Sequence, residues 1–421
     1  MARRGLDVDT KSECSSGNGG RNCFAGGFRV RLVSALACLA ALGFVAPGAS
    51  QDPDDLALAR MYNLEYDAAR QALEAQLRQH PDDLRALDYL GALALDEELL
   101  REGLYSTEAY TDRDVASREN RPEMIAGYEN RVLDPLEKGE DKAEARLKKK
   151  PDDRDALYWA GAIHATRAEF DFTLKRSYVA ALHEGRTAYK LNEELHRLDP
   201  GYTDALFVIG MGQYVAGSLP WYFRVLASFT GFRGSKPEGL ADLREVSERG
   251  HYARADAKVL LVVLYRREGM YRQAIDVLQD LTRLYPRNFL ALTEMVRIEQ
   301  AEGDWHAAAR TVDDLVARLD SHAPGSEIMP AARVLYEAGK IHEHLGEMDP
   351  ALRLYDKSAA VPGHKASSYQ AGLAAAHLEL QLNHPAAARQ RYRQIATAVP
   401  DTEEGKEARR ALKEMGDVRG D

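Results

Sequence analysis

The chain has 421 residues, 45% hydrophobic and 29% charged, with 66 acidic against 56 basic side chains and a formal net charge of −10. That length exceeds what one compact core absorbs and requires several domains or a repeat array. The negative surface repels phosphate backbones and argues against nucleic acid as a partner.

The first fifty residues differ from the rest. Leu32 to Val45 is an apolar run too short to span a bilayer, preceded by Arg29 and Arg31 and followed by the small residues Gly48, Ala49 and Ser50. This pattern predicts a signal peptide cleaved before Gln51, and an exported chain that is periplasmic or outer-membrane-associated. Residues 1–28 are an unusually long, Gly/Ser-rich prelude, so a start at Val30 is expected with it. Cys14, Cys23 and Cys38 all precede the cleavage point, which leaves the exported chain without a disulfide, thiolate nucleophile or cysteine metal site. Residues 1–50 hold six basic and three acidic side chains, so cleavage takes the net charge to −13.

Residues 51–216 read as irregular helical hairpins. Tyr66, Ala69, Leu73 and Leu77 fall at helical spacing and run into His80-Pro81-Asp82-Asp83, after which Leu87, Leu90 and Gly91 open another helix. Trp159-Ala160-Gly161-Ala162 after Pro151 and Leu206 to Gly210 after Asp199-Pro200 repeat that opening. The closing prolines are unevenly spaced, which predicts longer helices or insertions, and Gly103–Asn130 is the expected irregular loop.

Residues 217–254 are expected to hold an apolar helix and a linker helix. Leu219, Tyr222, Phe223, Leu226, Phe229 and Phe232 recur at three- and four-residue steps, and Trp221 sits at one end. The face they form is either a core wedge between the halves of the chain or, with Trp221 and Tyr222 at a boundary, a contact for a partner or a membrane surface.

From residue 255 to 415 the units become regular. Ala255–Asn288 spans one unit, with Gly269 to Ala274, Leu278, Leu281 and Tyr285-Pro286, and the frame continues through Leu292, Met295, Gly303, Trp305, Ala308, Val312 and Leu315. Leu335, Gly339, Gly346, Ala351 and Tyr355 mark a third unit, and Ala388, Tyr392, Ile395 and Pro400 a fourth. These residues resemble the tetratricopeptide repeat, in which a small residue lets two helices approach and a proline closes the second. The fold expected is therefore all-α, an α-solenoid with an irregular first half and a regular second half, ending in a frayed tail at 416–421.

A further resemblance covers about residues 150–290. Gly217-Ser218-Leu219-Pro220, the apolar stretch ending Gly231-Phe232-Arg233-Gly234, Gly239-Leu240 and Tyr285-Pro286-Arg287-Asn288 are similar to the outer-membrane Iml-two and tetratricopeptide-repeat-thirty-nine family. The resemblance implies a helical scaffold without catalytic residues. It departs from that family in the export signal and in Ser235-Lys236-Pro237-Glu238, so the family's cellular role is not carried over.

No catalytic constellation stands out. Gly231 to Lys236 lacks phosphate-loop spacing and reads as a helix-ending turn. His342 and His344 are two residues apart and so on different helix faces. The acidic pairs Asp82-Asp83, Asp152-Asp153 and Glu403-Glu404 stand at helix starts, where carboxylates cap amides. Neither enzyme activity nor a cofactor or metal is expected. The reading is a scaffold of the bacterial cell envelope that grips a protein partner on its concave face, with Tyr89, Tyr158, Tyr265, Arg297 and Glu337 as inward candidates. Alternatives are a membrane-associated adaptor using 219–232 and a small-molecule-binding or hydrolytic envelope protein. A deep polar pocket with a perturbed carboxylate would favour the last.

Overall fold

The computed structural model describes residues 53–103, 127–218, 234–363 and 365–416. They form seventeen α-helices, with no strand among the described residues. Gln79, Lys149 and Leu198 each end a helix two residues before Pro81, Pro151 and Pro200. Proline lacks the amide hydrogen and crowds the preceding turn, so each helix stops there. Asp83 and Asp153 then cap the next helices, accepting the Ala86 and Ala156 amide hydrogens at 3.1 and 3.2 Å.

The helices pack as sequential hairpins. α1 (Pro53–Tyr62) pairs with α2 (Tyr66–Gln79), and α3 (Leu84–Arg101) with α4 (Tyr128–Lys149). α5 (Arg154–Thr173) and α6 (Tyr178–Leu198) form the most extensive pair, followed by α7 (Ala205–Gly217) with α8 (Lys236–Arg249). The second half stacks α9 (Arg254–Arg267) with α10 (Tyr271–Leu284), α11 (Phe289–Glu302) with α12 (Trp305–Asp320), and α13 (Ala331–His344) with α14 (Met348–Ala359). α15 (Lys365–Gln381) and α16 (Pro385–Ala398) follow, and α17 (Glu403–Glu414) closes the array against α16. This is an α-solenoid.

Close approach within hairpins depends on small side chains. Ala274, Ala308, Ala351 and Ala388, read from the sequence as crossing points, are all fully buried. Gly339 lies under the Tyr355 ring, where a Cβ would come within 2.5 Å of ring carbons. Gly210 on α7 and Gly239 on α8 pack backbone to backbone, and a Cβ on Gly239 would lie 2.4 Å from the Gly210 carbonyl oxygen. Contact distance therefore accounts for glycine at 210 and 239.

The first hairpin returns to the middle of the chain. Leu64, at a left-handed φ of 62°, turns α1 into α2, and the end of α1 docks on the start of α9 and the turn before α11. Tyr62 stacks on Tyr285 with ring centroids 4.5 Å apart and donates its hydroxyl hydrogen to Asp256 Oδ1 at 2.9 Å. Asn288 Nδ2 donates to the Tyr62 carbonyl at 2.8 Å, the Arg287 amide donates to Asn63 Oδ1 at 3.1 Å, and Arg287 pairs with Glu65. One apolar core thus joins Leu58 and Met61 to Leu260, Leu281 and Phe289.

The signal segment and all seven residues expected to contact a partner or membrane, Leu219, Trp221, Tyr222, Phe223, Leu226, Phe229 and Phe232, lie outside the described residues. So does most of the loop expected at 103–130, whose last residues, Tyr128–Asn130, begin α4. The first three residues of the turn read at Gly231–Lys236 as ending a helix also lie outside the described residues. Ser235 accepts the Glu238 amide at 3.4 Å and Pro237 follows in the first turn, so the segment opens α8. No helix of the described residues is long and apolar enough to cross a membrane.

Candidate functional site

Closure of the first hairpin onto α9 shapes the interior of the N-terminal half. A cavity of about 70 Å³ lies where α3, α5, α6, α7 and the start of α9 converge. α5 contributes the largest share of its lining, with Tyr158, Trp159, Ala162, Thr166 and Glu169 among them, and Asp88 lines it from α3. Asn192 enters from α6, Phe207 and Met211 from α7, and Asp204 and Asp256 from either side of the α7–α8 hairpin.

Its apolar wall is part of an aromatic cluster. Tyr158 and Trp159 pack edge to face at 4.8 Å, Tyr252 sits 5.4 and 5.0 Å from them, and Tyr89 meets Trp159 at 5.4 Å. Burial drives the Tyr89 and Tyr158 phenols well above their ordinary range, so both stay neutral. The inward candidates Tyr89, Tyr158 and Tyr265 are thus core residues, each at most 6% exposed. Arg297 is engaged with Glu294, and Glu337 reaches Lys340 at 3.2 Å.

The polar side of the cavity is acidic. Asp88, Glu169, Asp204 and Asp256 are all buried. Asp204 is a structural acceptor: its Oδ1 takes the amide hydrogens of His251, Tyr252 and Ala253 at 2.9, 2.9 and 2.8 Å, tying the α8–α9 turn to the start of α7. Asp256 accepts the Tyr62 hydroxyl, and Asp88 accepts Thr166 Oγ1–H at 3.0 Å. Burial pushes the Asp88 carboxyl up to about 7, against the opposing pull of the Thr166 hydrogen bond. Asn192 is 1% exposed, and its Nδ2 donates to the Ala188 carbonyl at 2.9 Å while its Oδ1 accepts no hydrogen bond. Gly161 makes room for it, since a Cβ there would fall 2.4 Å from Asn192 Nδ2. Asp88 and Asn192 carry no sequence motif. Their only signal is a polar residue inside an otherwise apolar helical stripe.

His342 and His164 are held by carboxylates. His342 meets Asp313 at 3.0 Å and Glu347 at 2.5 Å, while His344 stacks on Trp305 with centroids 3.6 Å apart. His164 bonds Glu184 at 2.6 Å. Among the described residues no group of three or more His, Cys, Asp or Glu is arranged to hold a metal ion.

The C-terminal hairpins offer a different surface. On α13 the buried residues are Ala332, Val334, Leu335, Ala338, Gly339, Ile341 and His342, and Arg333, Tyr336, Glu337 and Lys340 are exposed or half-buried. Lys340 Nζ lies 5.5 Å from the Tyr336 ring centroid.

Residues 256–288 and 293–365 each match a tetratricopeptide repeat family model. The matches are to the general repeat and not to the outer-membrane family that the 217–240 segment resembles. No curated protein matches the chain. Solved structures overlap it loosely. Human IFIT1, in a dimer with PPP-AAAA, is 12% identical over 92% of this chain and 84% of its own, with a TM-score of 0.35. Yeast Tom70 is 14% identical over 89% and 91%, at 0.33. A tetratricopeptide repeat protein from Parabacteroides merdae is 13% identical over 79% and 98%, at 0.29. The adjacent repeat matches fall on the stacked hairpins α9 to α14 and make residues 256–365 a tetratricopeptide repeat array.

Proposed function

We propose that the chain is a non-catalytic scaffold that holds a protein partner in the bacterial cell envelope. The observation that carries this reading is the stack from α9 to α14, whose residues 256–288 and 293–365 match the repeat models and whose helix α13 exposes Arg333 and Lys340. Stacked hairpins of this kind present an extended curved surface whose side chains are free to meet another protein. On α13 that surface is a mixed charged and aromatic strip, Arg333, Tyr336, Glu337 and Lys340, in which arginine and tyrosine are the types that interfaces favour. The envelope address rests on the apolar run Leu32–Val45 and its arginine flank.

A photo-crosslinking residue placed at Tyr336 or Lys340, with a control at exposed Arg353 on α14, tests the reading in cells. The same protein is expected to crosslink from both α13 positions and not from the control. Identical capture from all three positions, or none from α13, would overturn it.

A further inference from the structure

We infer that the exposed start of α6 docks on a bilayer surface that carries anionic phospholipids. The inference concerns the first half of the chain and does not depend on the partner-binding reading of α13.

Among the described residues, large exposed apolar side chains mostly stand singly in the sequence. Three of them, Tyr178, Val179 and Leu182, instead fall within five residues at the start of α6, with 39%, 84% and 61% exposure. Single exposed apolar residues are ordinary, whereas a cluster marks a contact surface. Helix length leaves this one uncovered. α6 has 21 residues and α7, which returns alongside it after a short turn, has 13, so α6 outruns α7 by about 12 Å at the end that carries Tyr178. At its exposure Val179 stands on a ridge and not in a groove, which suits a flat layer better than an extended peptide.

The neighbouring charges select the kind of layer. Arg186 and Lys190 follow Leu182 at four-residue steps and so share its side of the helix. Both are exposed, and neither forms an ion pair among the described residues. Glu184 is engaged by His164 at 2.6 Å, and the first exposed acid of α6 is Glu193, beyond both cations. In the turn before α6, Lys175 is paired with Glu129 at 2.6 Å, so the free positive charge is that of Arg186 and Lys190. The chain as a whole carries a net charge of −10, and an anionic surface repels most of it while attracting this face, which orients the molecule. Val179 and Leu182 can then enter the boundary between headgroups and acyl chains with the two cations at the level of the phosphates, and Tyr178 suits the boundary itself.

An environment-sensitive fluorophore attached to Val179→Cys tests this in the full chain with Cys14, Cys23 and Cys38 changed to serine. It reports entry of this face into lipid whatever other segment meets the membrane. The same fluorophore on Arg353→Cys, at an exposed position of α14, is the control. Vesicles of three parts phosphatidylcholine to one part phosphatidylglycerol are expected to raise the emission at 179 at least about twofold with a blue shift, and to leave 353 unchanged. The rise is expected to disappear on pure phosphatidylcholine, at high salt, and when Arg186→Glu and Lys190→Glu are combined. No rise on the anionic vesicles, an equal rise at both positions, an equal rise on neutral vesicles, or an unchanged rise in a charge-reversed protein that melts like the parent would overturn the inference. Emission at 179 that is already blue-shifted before vesicles are added would also overturn it, because residues 219–233 or a second copy would then cover the face. The vesicle comparison on the unreversed chain decides the matter even if charge reversal disturbs folding.

Discussion

Tyr62 and Asp256, 194 positions apart in sequence, are joined by a 2.9 Å hydrogen bond that fastens the first helical hairpin to the start of the regular repeats. Both residues are buried, at 1% and 4% exposure, and the bond lies beneath the Tyr62–Tyr285 stack. A solenoid whose repeats contacted only their neighbours would melt piecewise. This contact is expected to couple the unfolding of the first hairpin to that of the 254–288 unit. Tyr62→Phe keeps the stack and removes the donor, and is expected to cost about 1–3 kcal/mol. Urea denaturation should show the loss, and limited proteolysis should cut earlier between residues 62 and 84. A variant as stable and as resistant as the parent would contradict the fastening role.

Asp204 serves three consecutive amides, those of His251, Tyr252 and Ala253. Asp204→Ala strands them in a buried turn and is expected to destabilise by several kcal/mol, on the order of 3 or more, since each orphaned buried donor costs about 1–3. Asp204→Asn retains one acceptor oxygen and should fall between the two. A thermal denaturation series of the three proteins gives the ranking.

Asp88 makes stability depend on pH in a definite direction. Its folded-state carboxyl titrates near 7, against an ordinary value of 3.8. The folded chain therefore holds a proton that the unfolded chain has released, and stability falls as pH rises from about 4 to about 7. Glu169, Asp204 and Asp256 line the same cavity. Asp88→Asn is uncharged throughout and still accepts from Thr166. At pH 8 it is expected to exceed the parent by a few kcal/mol, on the order of 1–3, and this advantage should shrink toward pH 4. Chemical denaturation at three pH values measures it.

His342 also makes stability fall with rising pH, in its case by losing a favourable interaction. Burial pulls its imidazole down, but the hydrogen bonds and charges of Asp313 and Glu347 outweigh burial and raise it above 6.5. The stabilisation is fully present below the unfolded value of about 6.5 and is lost as pH rises through the higher folded value. His342→Gln is expected to flatten the pH dependence of the melting temperature between 6 and 9, lowering it most at the acid end. Parallel melting curves for the two proteins would refute this.

Gly239→Ala tests the close approach of α7 and α8. The added carbon would lie 2.4 Å from the Gly210 carbonyl oxygen and 2.7 Å from the Tyr214 nitrogen, both backbone atoms that cannot rotate away. The hairpin must spread, at about 1–3 kcal/mol or more. Gly269→Ala gives a contrast, with open space around it but a left-handed φ of 72°, so its cost comes from backbone strain of about 1 kcal/mol. Equal effects in the denaturation midpoints would argue against the packing account.

The sequence by itself determined what depends on local periodicity and on neighbours along the chain. Apolar spacing, the prolines at 81, 151 and 200, and the caps Asp83 and Asp153 specify helices and their ends, because each acts within one or two turns. The small residues Ala274, Ala308 and Ala351 specify how hairpins cross, since those contacts recur in every unit. The tertiary structure decided which apparently surface residues became core. Tyr89, Tyr158 and Tyr265 read as candidates for the concave face, yet they are buried, and Tyr89 and Tyr158 join the aromatic cluster under α9. Tyr62, Arg287 and Asn288 carry no local mark of being partners. Asp88, Glu169 and Asn192 come together where α5 packs on both α3 and α6, while Tyr62 reaches Asp256 because the curvature accumulated over several hairpins returns the first of them to the fifth. That curvature is the sum of small rotations at each helix crossing, a quantity set by packing between side chains and not written in any one segment.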